Sequence, residues 1–167
     1  MQNDALANRL SALATAIGDA TLAETGDLSE SAIAAMIAIR AREPISIQHI
    51  AAVVGLTHSA TVRLVDRLEK DWLVRRLRRK GREVMVETTA RGKRRVRDLQ
   101  ARRGEIIAGL AADLSPDEAA TLAGLIDRLL TAAVDAGANP HRLCRFCDTE
   151  EGAAIMATLA PEEAEEG

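Results

Sequence analysis

The stretch Ile45–Arg95, ISIQHIAAVVGLTHSATVRLVDRLEKDWLVRRLRRKGREVMVETTARGKRR, decides the fold. Ser46 can cap a short helix from Ile47 to Val54, whose Ile47, Ile50, Ala51 and Val54 share one face. Gly55 sits where a helix ends in a left-handed residue. Thr57 caps a second helix, His58 to Lys70, with Ala60, Leu64, Val65 and Leu68 as its expected buried side. Two short helices joined by a glycine-containing turn form a helix-turn-helix. The period then changes from helical to two. Leu73 to Leu77 and Glu83 to Thr89 read as strands, joined by the tip Arg78-Arg79-Lys80-Gly81-Arg82. A two-stranded hairpin after a helix-turn-helix makes a winged helix.

On either side the periodicity is helical. Between Asn3 and Glu24, Leu6, Leu10, Leu13 and Ile17 recur at spacings of four, three and four, a narrow apolar seam. Ser29 caps a helix carrying Ile33, Met36, Ile37 and Arg40, which should stop near Arg42, because Pro44 disfavours helical backbone just before it. Thr89 caps a long helix, Ala90 to Asp113, basic in its first half and apolar in its second. Ser115-Pro116-Asp117-Glu118 opens another, with Ser at the cap, Pro in the first position and Glu three residues after the cap. That helix carries Leu122, Leu125, Ile126, Leu129, Leu130 and Val134, more apolar surface than a monomeric surface helix needs, and ends at Gly137. The expected fold class is mainly α with a small β-hairpin wing. Residues 28–95 form the winged helix-turn-helix, and residues 1–25 and 90–137 the long flanking helices, within one domain of residues 1–137. A tail, 138–167, holds His141-x-x-Cys144-x-x-Cys147, an expected helix from Thr149 to Leu159, and an acidic end, PEEAEEG.

Composition and charge narrow the function. The chain is 47% apolar, ample for a core, but has one Trp, one Phe and no Tyr. No apolar run reaches the roughly 18 residues of a membrane span. The start, MQNDALANRL, lacks the basic-then-apolar pattern of a signal peptide, so the expected compartment is the cytoplasm. The net charge of −3 conceals a segregation: residues 63–103 carry 16 Lys and Arg against six Asp and Glu. LVRRLRRKGR contains no acid at all, unlike an ordinary solvated helix face. A basic segment within an acidic chain is the footprint of nucleic-acid binding. No Ser/His/Asp order, phosphate-binding glycine loop or paired carboxylates point to catalysis. His49 and His58 read as polar residues of the two short helices rather than as ligands.

The segment SATVRLVDRLEKDWLVRR…GREVMVETTARGKRRV resembles the MarR family of bacterial winged-helix regulators. The resemblance is most specific in LVDRLE, in the Leu73-Val74 that follows, and in the Thr89–Gly92 junction; it covers about Leu6 to Val134. It implies an obligate homodimer with the first and last helices intertwined, through Leu6, Leu10, Leu13, Ile17, Leu122, Ile126 and Leu129. It also implies an effector pocket between those helices and the winged helix, in a protein that is usually a repressor. Two positions depart from the family pattern. Trp72 stands where a glycine usually follows the recognition helix; a bulky residue resists positive φ, so Asp71 should take that conformation or the turn should be rebuilt. Lys80 replaces a wing Asp that usually pairs with the Arg at position 82.

In a helix-turn-helix the second helix presents its N-terminal residues to base edges in the major groove. This nominates Thr57, His58, Ser59, Thr61, Val62 and Arg63. Arg63 suits guanine O6 and N7, and Val62 or the Thr61 methyl suits a thymine methyl. Arg67, one turn later, suits a phosphate. Arg78, Arg79, Lys80 and Arg82 should lie along the backbone or in a narrow minor groove. The expected partner is a pseudo-palindromic operator in double-stranded DNA. In the tail, His141, Cys144 and Cys147 could hold zinc if Asp148, Glu150 or a second subunit completed the site. They could instead form a redox pair with its thiolate favoured by Arg142 and Arg145, or be incidental. Two other classes stay open: a thiol or metal-handling protein whose winged helix serves protein contacts, and an architectural DNA binder without effector.

Overall fold

The computed structural model describes residues 2–78, 83–147, 155 and 159. The chain runs through helices α1 (Gln2–Ala23) and α2 (Glu30–Arg42), strand β1 (Ile45–Ser46), helices α3 (Ile47–Val54) and α4 (His58–Lys70), and strands β2 (Val74–Arg78) and β3 (Val84–Thr88). It continues through helices α5 (Ala90–Leu110), α6 (Pro116–Asp135) and the short α7 (Pro140–Leu143). The caps read from the sequence are formed. Ser29, Ser46, Thr57, Thr89 and Ser115 each accept a hydrogen bond from a backbone N–H of their own helix's first turn, and Ser115 with Glu118 closes a capping box.

Helix α2 is the centre of the molecule. Ala32 through Ile37 and Ile39 are buried, so it is covered on nearly every side, by α3, α5 and β3. Its run of alanines between isoleucines lets those neighbours approach closely. The expected two-stranded hairpin is a three-stranded antiparallel sheet, because Ile45 and Ser46 pair with Val86 and Met85 on the free edge of β3. The hairpin itself pairs Val74 with Thr88 and Arg78 with Val84, and only Val86 and Thr88 of β3 are buried. The exposure of Val84 marks where the strand leaves the core towards the wing tip.

The sheet is locked to the helices at two points. Gly92, in the first turn of α5, packs so closely that a Cβ there would lie 2.0 Å from the Leu73 carbonyl oxygen. Glu43, just after α2, accepts hydrogen bonds from the Thr88 backbone N–H (2.9 Å) and hydroxyl (2.6 Å) and pairs with Lys93. Burial opposes ionisation of Glu43, but the hydrogen bonds from Lys93 and Thr88 outweigh it and hold the carboxyl below its ordinary value.

Helix α5 stops at Leu110, a few residues before the expected Asp113. Helix α1 lies against α5, whereas α6 makes no extensive contact with any other element among the described residues. The tail folds more than the sequence suggested: α7, capped by Asn139, packs on α3. The helix expected from Thr149 to Leu159 lies almost wholly outside the described residues.

Candidate nucleic-acid interface

Helix α4 is amphipathic at helical spacing, with Thr61, Leu64, Val65 and Leu68 buried against the core. The opposite face presents His58, Ser59, Arg63 and Arg67, all exposed. Thr57 holds the N-terminal end by accepting the Ala60 N–H at 3.3 Å, and its hydroxyl lies 3.4 Å from that of Ser59. Two of the nominated base readers turn inward. Thr61 is fully buried, with its hydroxyl donating to the Thr57 carbonyl at 3.0 Å, so it supports the helix and its methyl is not available to a thymine. The reason is its place on the Leu64–Leu68 stripe; half-buried Ala60, nominated for that stripe, is displaced by one residue. Val62 is half-buried and packs against the core. The side chain of Arg78 and the whole of Arg79, Lys80 and Arg82 lie outside the described residues.

The basic stretch divides in two. Arg76 reaches back to α4, donating to Asp66 at 2.6 Å through its side chain and to Glu69 at 2.9 Å through its backbone N–H. Arg75 pairs with Glu87, Lys93 with Glu43, and Arg102 with Glu24. Arg95 donates to the Thr25 carbonyl at 2.9 Å. These cations are engaged within the chain. Arg63, Arg67, Lys70, Arg91, Arg94 and Arg97 form no ion pair among the described residues, and three of them lie along α4. The charge on α4 is therefore open to an external anion.

Trp72 itself adopts the left-handed conformation, with φ 59°, so neither alternative expected for this turn occurs. Its N–H donates to Glu69 and that of Leu73 to Leu68, the paired bonds that end a helix in a Schellman motif, with Trp72 in the glycine position. The buried Leu68 and Leu73 supply the motif's apolar contact. Leu73 is thus needed in the core and Asp71 is not, which fixes the turn one residue later than Asp71.

The nominated interface leucines stay exposed in the single chain. Leu6, Leu10 and Leu13 of α1 and Leu122, Ile126 and Leu129 of α6 face solvent, while Ile17 is half-buried. Ile17 lines a cleft of about 380 Å³ between α1, α2, α5 and the tail, with Leu22, Ile33, Leu99, Arg103 and Phe146. No residue of the tail was nominated for this cleft from the sequence. The available signal was Phe146, the one phenylalanine, set with Arg145 between Cys144 and Cys147. Arg103 and Arg145 lie over its ring, 5.2 and 4.8 Å from the centroid.

His141, Cys144 and Cys147 are not gathered into a group able to hold a metal ion among the described residues; Asp148 and Glu150 lie outside them. The thiolate-favouring role expected of the neighbouring arginines is not seen at Cys144. Burial, then the adjacent Cys147, pushes that thiol up to about 12. Arg145 is engaged with Glu30 at 2.7 Å instead.

A helix-turn-helix followed by a winged sheet and bracketed by long helices defines a winged-helix regulator. The MarR family profile matches residues 28–81. The chain is similar to RV1404 from Mycobacterium tuberculosis, with 31% identity, TM-score 0.64, and coverage of 82% of this chain and 92% of that one. A MarR-family transcriptional regulator from Rhodococcus sp. RHA1 is 25% identical, with TM-score 0.60 over 80% and 95% of the two chains. The fold recurs in FabT of Streptococcus pneumoniae, solved in complex with DNA, at 13% identity and TM-score 0.68 over 81% and 99%. No curated protein matches the sequence. The chain belongs to the MarR family of winged-helix transcription regulators.

Proposed function

We propose that the protein is a homodimeric repressor that binds a pseudo-palindromic operator and leaves it when a small molecule enters the α1–α2–α5 cleft. The observation that carries this reading is the exposed face of α4, where His58, Ser59, Arg63 and Arg67 stand without internal ion pairs on a helix anchored by its other face. FabT, of the same fold, is a DNA-bound relative in architecture. The exposed leucines of α1 and α6 support self-association, since unpartnered apolar surface of this extent marks an interface. The cleft supports an effector. It is mostly apolar; its carboxylates Glu24 and Glu30 are paired with Arg102 and Arg145, while Arg103, whose charge burial disfavours, lies over the Phe146 ring, which suits a small organic anion.

Footprinting tests the reading. A two-fold dimer protects two half-sites about one helical turn apart, and Arg63→Ala costs about 1–3 kcal/mol at one base pair per half-site. A single unrepeated half-site, or wild-type binding by Arg63→Ala, overturns it. Binding without sequence preference would make the protein an architectural DNA binder.

A further inference from the structure

The tail beyond the family domain is not a passive extension. From Pro140 to Cys147 it touches three elements around the DNA-reading motif. Arg142 lays its guanidinium on Gly55, the left-handed residue that turns α3 into α4; a Cβ at Gly55 would lie 2.7 Å from Arg142 Cζ. Arg145 donates to Glu30, at the start of α2, and to the Arg142 carbonyl, both at 2.7 Å. Gln100 of α5 donates its Nε2 hydrogen to the Cys147 carbonyl at 3.1 Å. Phe146 packs against the core beneath Arg103 and Arg145. Within this clasp the Cys147 N–H donates to the Cys144 carbonyl at 3.0 Å, a tight turn that sets the two cysteines side by side, and Cys147 adds to burial in pushing the Cys144 thiol up.

We propose that Cys144 and Cys147 form a dithiol site for trivalent organoarsenicals, and that bridging them loosens the clasp from the helix-turn-helix turn and weakens operator binding. The last step rests on the DNA-binding reading above; the site and the loosening do not.

The chemistry follows from the state of the thiols. Raised well above neutrality by burial, Cys144 is protonated and a poor nucleophile towards peroxides, which react with thiolates. A trivalent arsenical oxide, R–As=O, condenses instead with a pair of thiols. Two As–S bonds form, the two S–H bonds and the As–O bonds break, and the oxygen leaves as water with both protons. Arsenic stays trivalent, so no oxidant or reductant takes part. Two soft sulfur ligands suffice for this, whereas a closed zinc site wants four ligands. Both cysteines are half-buried, so seating arsenic and its substituent must displace the 144–147 turn. That turn carries the Gln100 bond, and its neighbour Arg142 carries the contact with Gly55.

The test uses the full chain and phenylarsine oxide, read by intact mass, by amide hydrogen exchange over residues 47–58, and by operator binding. The expected result is one adduct per chain with loss of water, faster exchange at the turn, and about ten-fold weaker operator binding. Cys144→Ser should bind the operator as wild type does and take up no bridging adduct. Arg142→Ala should show the faster exchange without reagent, and the reagent should then add nothing. No adduct, an adduct that leaves exchange at the turn unchanged, or an Arg142→Ala protein that exchanges like wild type each overturns the proposal. Faster exchange in a protein that binds no DNA even untreated would leave the clasp standing and refute the operator reading alone.

Discussion

Helices α2 and α6 draw on the same side chains, alanine with isoleucine or leucine, and meet opposite surroundings. In α2, seven residues from Ala32 to Ile39 are buried, whereas in α6 none is. Apolar composition alone therefore does not say which helix is interior; the partner does. The sheet, α3 and α5 cover α2 within the chain. Leu122, Leu125, Ile126 and Leu129 of α6 meet nothing comparable, and leaving four large apolar side chains in water opposes solubility unless a second surface covers them.

The contrast is sharpest for one substitution in each helix. Ile39→Ala should lower unfolding free energy by about 2–5 kcal/mol, because the side chain is wholly enclosed and its neighbours can only partly close the gap. Leu129→Asp should leave the fold of the single chain intact and abolish self-association. Thermal unfolding checks the first and sedimentation the second. A Leu129→Asp protein that unfolds like Ile39→Ala, or that still dimerises, would erase the distinction between the two helices.

How much of this was legible in the sequence depended on whether the cause was local. The caps Ser29, Ser46, Thr57, Thr89 and Ser115 were readable because each acts on its own next turn. So were α3, Gly55 and α4, where periodicity and turn chemistry agree. The misreadings mostly have non-local causes. Thr61 looks polar, but the core packed against α4 takes it in with Leu64, Val65 and Leu68, and its hydroxyl is satisfied on the Thr57 carbonyl. Strand β1 has only two residues and exists because β3 offers an edge. The clasp was invisible because nothing in HRLCRFC shows that Arg142 rests on Gly55, 87 positions earlier.

Glu43 tests the covered side of the comparison at the end of α2. It joins α2, β3 and α5 through Thr88 and Lys93. Glu43→Gln keeps an acceptor for Thr88 but loses the charge, and should cost about 1–2 kcal/mol at neutral pH. The carboxyl sits below its ordinary value of 4.5 in the fold, so its contribution is complete above that pH and is lost as pH falls through the folded value. The stability difference between wild type and Glu43→Gln should therefore shrink at acid pH. Denaturation at neutral pH and below 4 distinguishes this from a pH-independent packing loss.

Trp72 tests the uncovered side, with the smallest expected effect. Its indole is 74% exposed, and its backbone holds a φ of 59°. That conformation costs a side chain about 1–2 kcal/mol, and glycine would relieve it. Glycine gains unfolded-state freedom worth about 0.4–1 kcal/mol in the opposite direction. Little indole packing is lost, so Trp72→Gly should stabilise the protein by about 0.5–1 kcal/mol. Denaturation followed by circular dichroism measures it without the indole as probe. If the substitution destabilises instead, the indole contributes packing that its exposure in the single chain does not show, and the strain at this turn is smaller than the φ of 59° implies.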